Sequence, residues 1–150
     1  MLNEVLIQHY EQGLEKLKLE IEQYKNEVDL WKTSGEITNS GGNLCLHLLG
    51  NLNHFFGAVL GGTEYVRDRD AEFANKHVAR EQLLYDIDAT IPVVRATLEN
   101  LTPEDFEKIY PIEVFGRPMS TEYFYTSLVG HLNYHLGQIN YHRRMLADKS

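Results

Sequence analysis

Between Ser40 and Thr63 the chain has no Asp, Glu, Lys or Arg, although 36 of its 150 residues are charged. A run of 24 residues without charge either spans a membrane or lies inside a protein. The polar residues in it decide between the two. Asn43, His47, Asn51, Asn53 and His54 interrupt the run, with glycines at 50, 57, 61 and 62. So many polar groups in hydrocarbon are expensive. The segment reads instead as the most buried helix of a helical bundle, from about Gly42 to about Leu60. Its polar side chains then need partners inside the protein.

The rest of the chain supplies companions for such a helix. Ile7, Tyr10, Leu14, Leu17, Ile21, Tyr24, Val28 and Trp31 alternate spacings of three and four. This seam predicts one long helix from about Asn3 to about Lys32. Leu83, Leu84, Ile87, Ile91, Val94 and Leu98 predict a third helix from about Arg80 to Leu101, kinked at Pro92. Thr102-Pro103-Glu104-Asp105 has the form of a helix start and predicts a short helix ending near Tyr110. A last long helix is expected from about Thr121 to about Ala147, with Arg143, Arg144 and Lys149 near its C-terminus. No strand alternation persists. The expected fold is all-α, a four-helix bundle in one domain. The connections after the second and third helices run about 17–18 residues, longer than bundle loops usually are. Such a connection can cross the end of a bundle, so the second and third helices can run parallel.

Composition removes several functions. The 14 Lys and Arg against 22 Asp and Glu leave a net charge of −8, which argues against nucleic-acid binding. Cys45 is the only cysteine, so no intrachain disulfide forms, and its apolar neighbours place it in the core. The first residues lack a basic stretch followed by an apolar run, so the expected location is the cytoplasm. Phosphate loops and serine-nucleophile elbows are missing. Arg67-Asp68-Arg69-Asp70 reads as a solvated or self-paired charge run, and Gly57 with Gly61 as a site of close helix packing.

The chemistry lies in the histidines. His131, His135, Gln138 and His142 form one stripe on the last helix, beside Leu128, Leu132 and Ile139. His47, Asn51 and His54 form a similar stripe on the second. His131 and His135 are four apart, so both imidazoles can reach one metal ion. A third imidazole from another helix completes a three-ligand site with an open position, and His47 is the best donor. His54 and His142 lie about two turns from that ion. Asn51 and Gln138 join them as candidates for supporting or cavity positions, and Tyr134 and Tyr141 sit near the stripe, either donating hydrogen bonds to a substrate or only packing. The pair at 131 and 135 encloses Leu, Asn and Tyr, so it lacks the general base of zinc proteases. The same spacing also suits a polar stripe satisfied by hydrogen bonds, and both readings stand on the residues alone.

The run HLNYHLGQINYHRRML, residues 131–146, resembles the last helix of DinB/YfiT-like proteins, with HxxxHxGQI as its core. LHLLGNLNHFFGAVLGG, residues 46–62, followed by RDRDAEF, residues 67–73, resembles a DinB branch of unknown function. The resemblance covers essentially the whole chain. It implies a four-helix bundle with a long crossover, often a homodimer, holding zinc or nickel on three histidines. That pattern falls on His47, His131 and His135. It further implies a metal-dependent transferase acting on a small thiol, since some such proteins use bacillithiol or mycothiol. Nothing in the residues identifies the thiol. A metal-dependent hydrolase and a non-catalytic metal- or ligand-binding stress protein are the alternatives.

Overall fold

A computed structural model describes residues 1–148; Lys149, expected near the last helix end, lies outside the described residues. The described chain is helical, with no strand beyond two isolated bridges. Its α-helices are α1 (Leu2–Gln23), α2 (Gly41–Leu52), α3 (Arg69–Ala74), α4 (Arg80–Glu99), α5 (Pro103–Glu107) and α6 (Thr121–Ala147). The four long ones, α1, α2, α4 and α6, form the bundle. α1 packs on α4 and α6, and α2 packs on the same two helices from the opposite corner. No described helix is long and apolar enough to cross a membrane.

Cross-helix contacts fix the directions. Glu11 pairs with Arg95 and Lys18 with Asp88, so α1 and α4 are antiparallel. Tyr10 reaches the Tyr125 carbonyl and Glu20 reaches Arg143, so α1 and α6 run the same way. Asn53 bonds Thr90, and Thr97 bonds the Phe56 carbonyl, so α2 and α4 run parallel. The segment from Gly61 to Ala79, with α3 in it, is therefore a crossover. α2 and α6 are left antiparallel, which brings the two histidine stripes level.

The first helix is shorter than its seam predicts. It stops at Gln23, because Tyr24 takes an extended ψ of 124°. A 3₁₀ turn, Glu27–Trp31, follows. Tyr24 and Trp31 still reach the core, but Val28 is 58% exposed rather than inward. Spacings of three and four suit a 3₁₀ turn as well as an α-helix over so few residues. α5 also ends earlier than expected, at Glu107, after a reciprocal cap between Thr102 and Asp105. Residues 108–120 then return to α6 through a bridge between Ile109 and Ser120.

α2 passes at Asn53 into a π-helical turn, Asn53–Ala58. The Phe55 carbonyl accepts both the Tyr110 and the Tyr125 hydroxyl there. Added methyl groups at Gly57 and Gly61 would crowd Val93 and Thr97, so these glycines let α4 lie close. Around this seam the core is filled by Tyr10, Leu14, Leu17 and Ile21 of α1 with Leu48, Leu52, Phe56, Leu83, Phe124 and Leu132. Each such side chain contributes roughly 1.5–3 kcal/mol on burial. That apolar frame holds the inner faces of α2 and α6 at fixed separation.

Candidate metal centre

Three imidazoles meet where α2 faces α6. One ring nitrogen from each of His47, His131 and His135 lies within 4.8 Å of the others, so the three can hold a metal ion. His47 Nε2 is 3.2 Å from His131 Nε2. The ring centroids of His47 are 5.1 Å from His131 and 5.3 Å from His135, both edge-on. The i,i+4 spacing on α6 aligns the other two at 4.6 Å.

The outer nitrogens show which atoms are free for a ligand. His47 Nδ1 is 3.0 Å from Glu72 Oε1, so this nitrogen carries the proton and donates to the carboxylate. Its Nε2 is then a lone pair turned to the cluster. His135 Nδ1 donates to Gln138 Oε1 at 2.7 Å, leaving its Nε2 free in the same way. His131 Nδ1 is buried with no hydrogen-bond partner among the described residues. Without an ion, His131 Nε2–H donates to His47 Nε2. Moving that one proton to His131 Nδ1 yields three neutral imidazoles with inward lone pairs, the donor set of a three-histidine site.

Burial and electrostatics disfavour the charged form of His131 and His135. Burial pushes His131 down to about 4, helped by repulsion from His135, His47, Arg67 and Arg69. Burial also lowers His135, against the hydrogen bond it donates to Gln138, which raises it. Neutral imidazole is the form that binds a cation.

The mount of His47 was not legible as such in the sequence. Glu72 on α3 is buried. Arg67 grips it with Nε on Oε2 at 2.9 Å and Nη2 on Oε1 at 3.0 Å. Burial works against ionisation of Glu72, but the hydrogen bonds from His47 and Arg67 outweigh it and hold the carboxyl below its usual range. Arg67 thus pairs with Glu72 rather than with the adjacent aspartates, and Asp68 instead caps α3 at Ala71. The charge run is neither fully solvated nor self-paired. Phe73 completes the mount, its ring 4.8 Å from that of His47. Asn43 ties α3 to α2 through the carbonyls of Glu72 and Asn75. A methyl group at Gly50 would overlap the Glu72 carboxylate. A glycine three residues after a candidate ligand is the one sequence signal that something needs room there.

The chain matches the family described as Protein of unknown function (DUF1572) over residues 3–150. It belongs to this family. No curated protein matches it.

The structure separates the remaining sequence candidates of this DUF1572 chain. Gln138 supports His135. Asn51 is buried one turn after His47, and its Oδ1 has no hydrogen-bond partner among the described residues. His54 sits on the π-helical turn against Phe55, outside the cluster. His142 is buried but bonded elsewhere. Its Nδ1 accepts from the Tyr24 hydroxyl at 2.7 Å, and its Nε2 donates to the Lys32 carbonyl at 2.8 Å. Cys45 is fully buried, and burial pushes its thiol well above the usual range, so it packs and does not react.

Proposed function

We propose that this protein binds one divalent metal ion, zinc or nickel, on His47, His131 and His135, and acts as a metal-dependent transferase on a small thiol. The convergence of three imidazole nitrogens whose outer nitrogens are fixed or buried carries this reading. The likeness of residues 46–62, 67–73 and 131–146 to DinB-type sequences supports it. A bound dication would offer an open position and make a thiolate available near neutral pH.

The chain's own residues would set up that chemistry. Glu72 fixes the His47 tautomer and ring plane, a common support for metal-binding histidines. Arg67 cancels the Glu72 charge, so the protein groups of the centre carry no net negative charge. The full attraction of the dication is then left for an incoming anion such as a thiolate. Both Glu72 oxygens are occupied by His47 and Arg67, so Glu72 is not free to act as a general base on water. That favours thiol chemistry over hydrolysis. The reading includes a homodimer in the cytoplasm, to be checked by sedimentation and fractionation.

Elemental analysis of purified protein, followed by thiol titration of the cobalt-substituted form, tests the proposal. The expected result is one metal per chain and new sulfur-to-metal charge-transfer bands. Bound metal without such bands would favour a hydrolytic or purely binding role. A metal-free protein that takes up no divalent ion would overturn the reading.

A further inference from the structure

The metal centre is not closed on the side of α6. His135 and Gln138 form one end of a cleft of about 500 Å³ that continues along α6 beneath residues Glu36–Asn39. Tyr134, Tyr141 and Met145 make one wall, and Ile37 and Leu44 make the other. Beyond Met145 a second hollow of about 350 Å³ follows, with Ile37, His142 and Met145 lining both. The two form a trough along one face of a single helix, starting at a metal-binding histidine.

The wall chemistry is uneven in a way that selects a ligand. Tyr134 and Tyr141 are each 66% exposed, and Met145 is 58% exposed. Three large side chains held open on one helix face, in a row that begins beside His135, are unusual for a solvent-facing surface. The Tyr134 ring lies 5.4 Å from that of His135, edge-on. Arg144 stacks on the Tyr141 ring. That contact steadies the ring, while Arg144 itself does not line the cleft. Among the described residues the only charged side chain on this cleft is Glu36, while Lys32 lines the second hollow with its ammonium paired to Asp29 at 2.6 Å. With Lys32 held by Asp29, the Glu36 carboxylate disfavours anionic substrates. Two aromatic rings, a thioether and two aliphatic side chains favour an aromatic or apolar body.

The far wall is a tight turn rather than a helix. Ile37 N–H donates to the Ser34 carbonyl at 3.0 Å, and Gly35 takes a φ of 57° that favours glycine. The turn projects Ile37 over the cleft opposite Met145. It is anchored below, because the Lys32 carbonyl accepts from His142. His142, although remote from the ion, thus sets the position of the cleft wall.

We infer that this trough is the substrate-binding cleft, and that it takes an uncharged molecule whose aromatic or apolar body lies along Tyr134, Tyr141 and Met145 while its reactive end reaches the metal centre. The inference rests on the reading of that centre as an active site, and its test separates the two. Benzyl mercaptan, 2-mercaptoethanol and 3-mercaptopropionate are titrated into the cobalt-substituted protein and followed by the charge-transfer band. The aromatic thiol should bind about tenfold tighter than 2-mercaptoethanol, the gain expected from burying much of one ring. The carboxylated thiol should gain nothing. In the Tyr141→Ala/Met145→Ala variant the aromatic preference should fall to about twofold, with 2-mercaptoethanol affinity unchanged. Both replaced side chains are exposed, so the fold should survive. In parallel, benzyl alcohol is added to the metal-free protein and the Tyr134, Tyr141 and Met145 resonances are followed. Their selective shift in wild type, and loss of the Tyr134 shift in the variant, would support the cleft even if no thiol band ever appeared, in which case only the thiol reading fails. Equal affinities for the aromatic and aliphatic thiols, a preference for the carboxylate, or an aromatic preference that persists in the variant would overturn the inference. So would unshifted resonances in the metal-free protein.

Discussion

His135 and His142 lie on one stripe of one helix, two turns apart, and they do different work. At His135 one ring nitrogen is held by Gln138, and the other faces two further imidazoles. At His142 both nitrogens are spent, one on the Tyr24 hydroxyl and one on the Lys32 carbonyl. Helical spacing gives both residues the same face, and only the elements opposite them distinguish candidate ligand from strut. α2 brings His47 to the first, while the end of α1 and the following 3₁₀ turn bring a phenol and a carbonyl to the second.

The largest expected effect comes from emptying the ligand end. His47→Ala or the His131→Ala/His135→Ala double change should lower metal affinity by more than about 100-fold, beyond what loss of a supporting group costs. His142→Ala should leave affinity nearly unchanged. Competition with a chromogenic chelator measures both, and comparable losses would erase the distinction between the two ends.

Next in size is the mount of His47. Glu72→Gln keeps an acceptor near His47 but removes the charge and the ion pair with Arg67. Metal affinity should fall about 10- to 100-fold. A Glu72→Gln protein with wild-type affinity would show that α3 packs beside the centre without supporting it.

Much of this was legible in the sequence. The seam from Ile7 to Ile21 marks α1 because apolar residues recur every three or four positions without interruption. The uncharged run from Ser40 marks the innermost helix, and three ligand candidates follow from helical geometry. The end of α1 was not legible, because Tyr24 and Trp31 continue the spacing into a turn that buries them by another route, and only Val28 breaks the pattern. The Arg67–Glu72–His47 chain was hidden for a different reason. α3 is six residues long, too short for periodicity to show a buried face, and a glutamate among Arg and Asp looks like solvated surface until Gly50 is seen to leave room for it. The role of His142 depended on where the chain turned after Gln23, so an error in one helix end concealed it.

At the strut end the effect should appear in stability. Tyr24→Phe removes the hydroxyl that His142 accepts from, and leaves that buried nitrogen unpaired. The expected cost is about 1–3 kcal/mol in urea unfolding, with metal affinity retained. Loss of metal affinity in Tyr24→Phe would link the two ends.

The smallest expected effect is a pH slope. Burial lowers His142, against the hydrogen bond to the Lys32 carbonyl, and lowers His131 to about 4. As pH falls below the ordinary histidine value of about 6.5, the unfolded chain takes up protons that the folded chain resists. Stability of the metal-free protein is therefore complete above that value and is lost through the folded pKa values, down to about 4 for His131. His142→Gln should flatten the slope of urea midpoint against pH without abolishing it, since His131 remains. An unchanged slope would mean that His142 titrates alike in both states.

The centre itself is tested most directly by X-ray absorption on the zinc-loaded protein. The account predicts three imidazole nitrogens at about 2.0–2.1 Å and at least one further light-atom ligand from solvent or added substrate. The His142→Ala spectrum should be the same. Two or fewer imidazoles, or a sulfur at about 2.3 Å from Cys45 in the absence of added thiol, would contradict it.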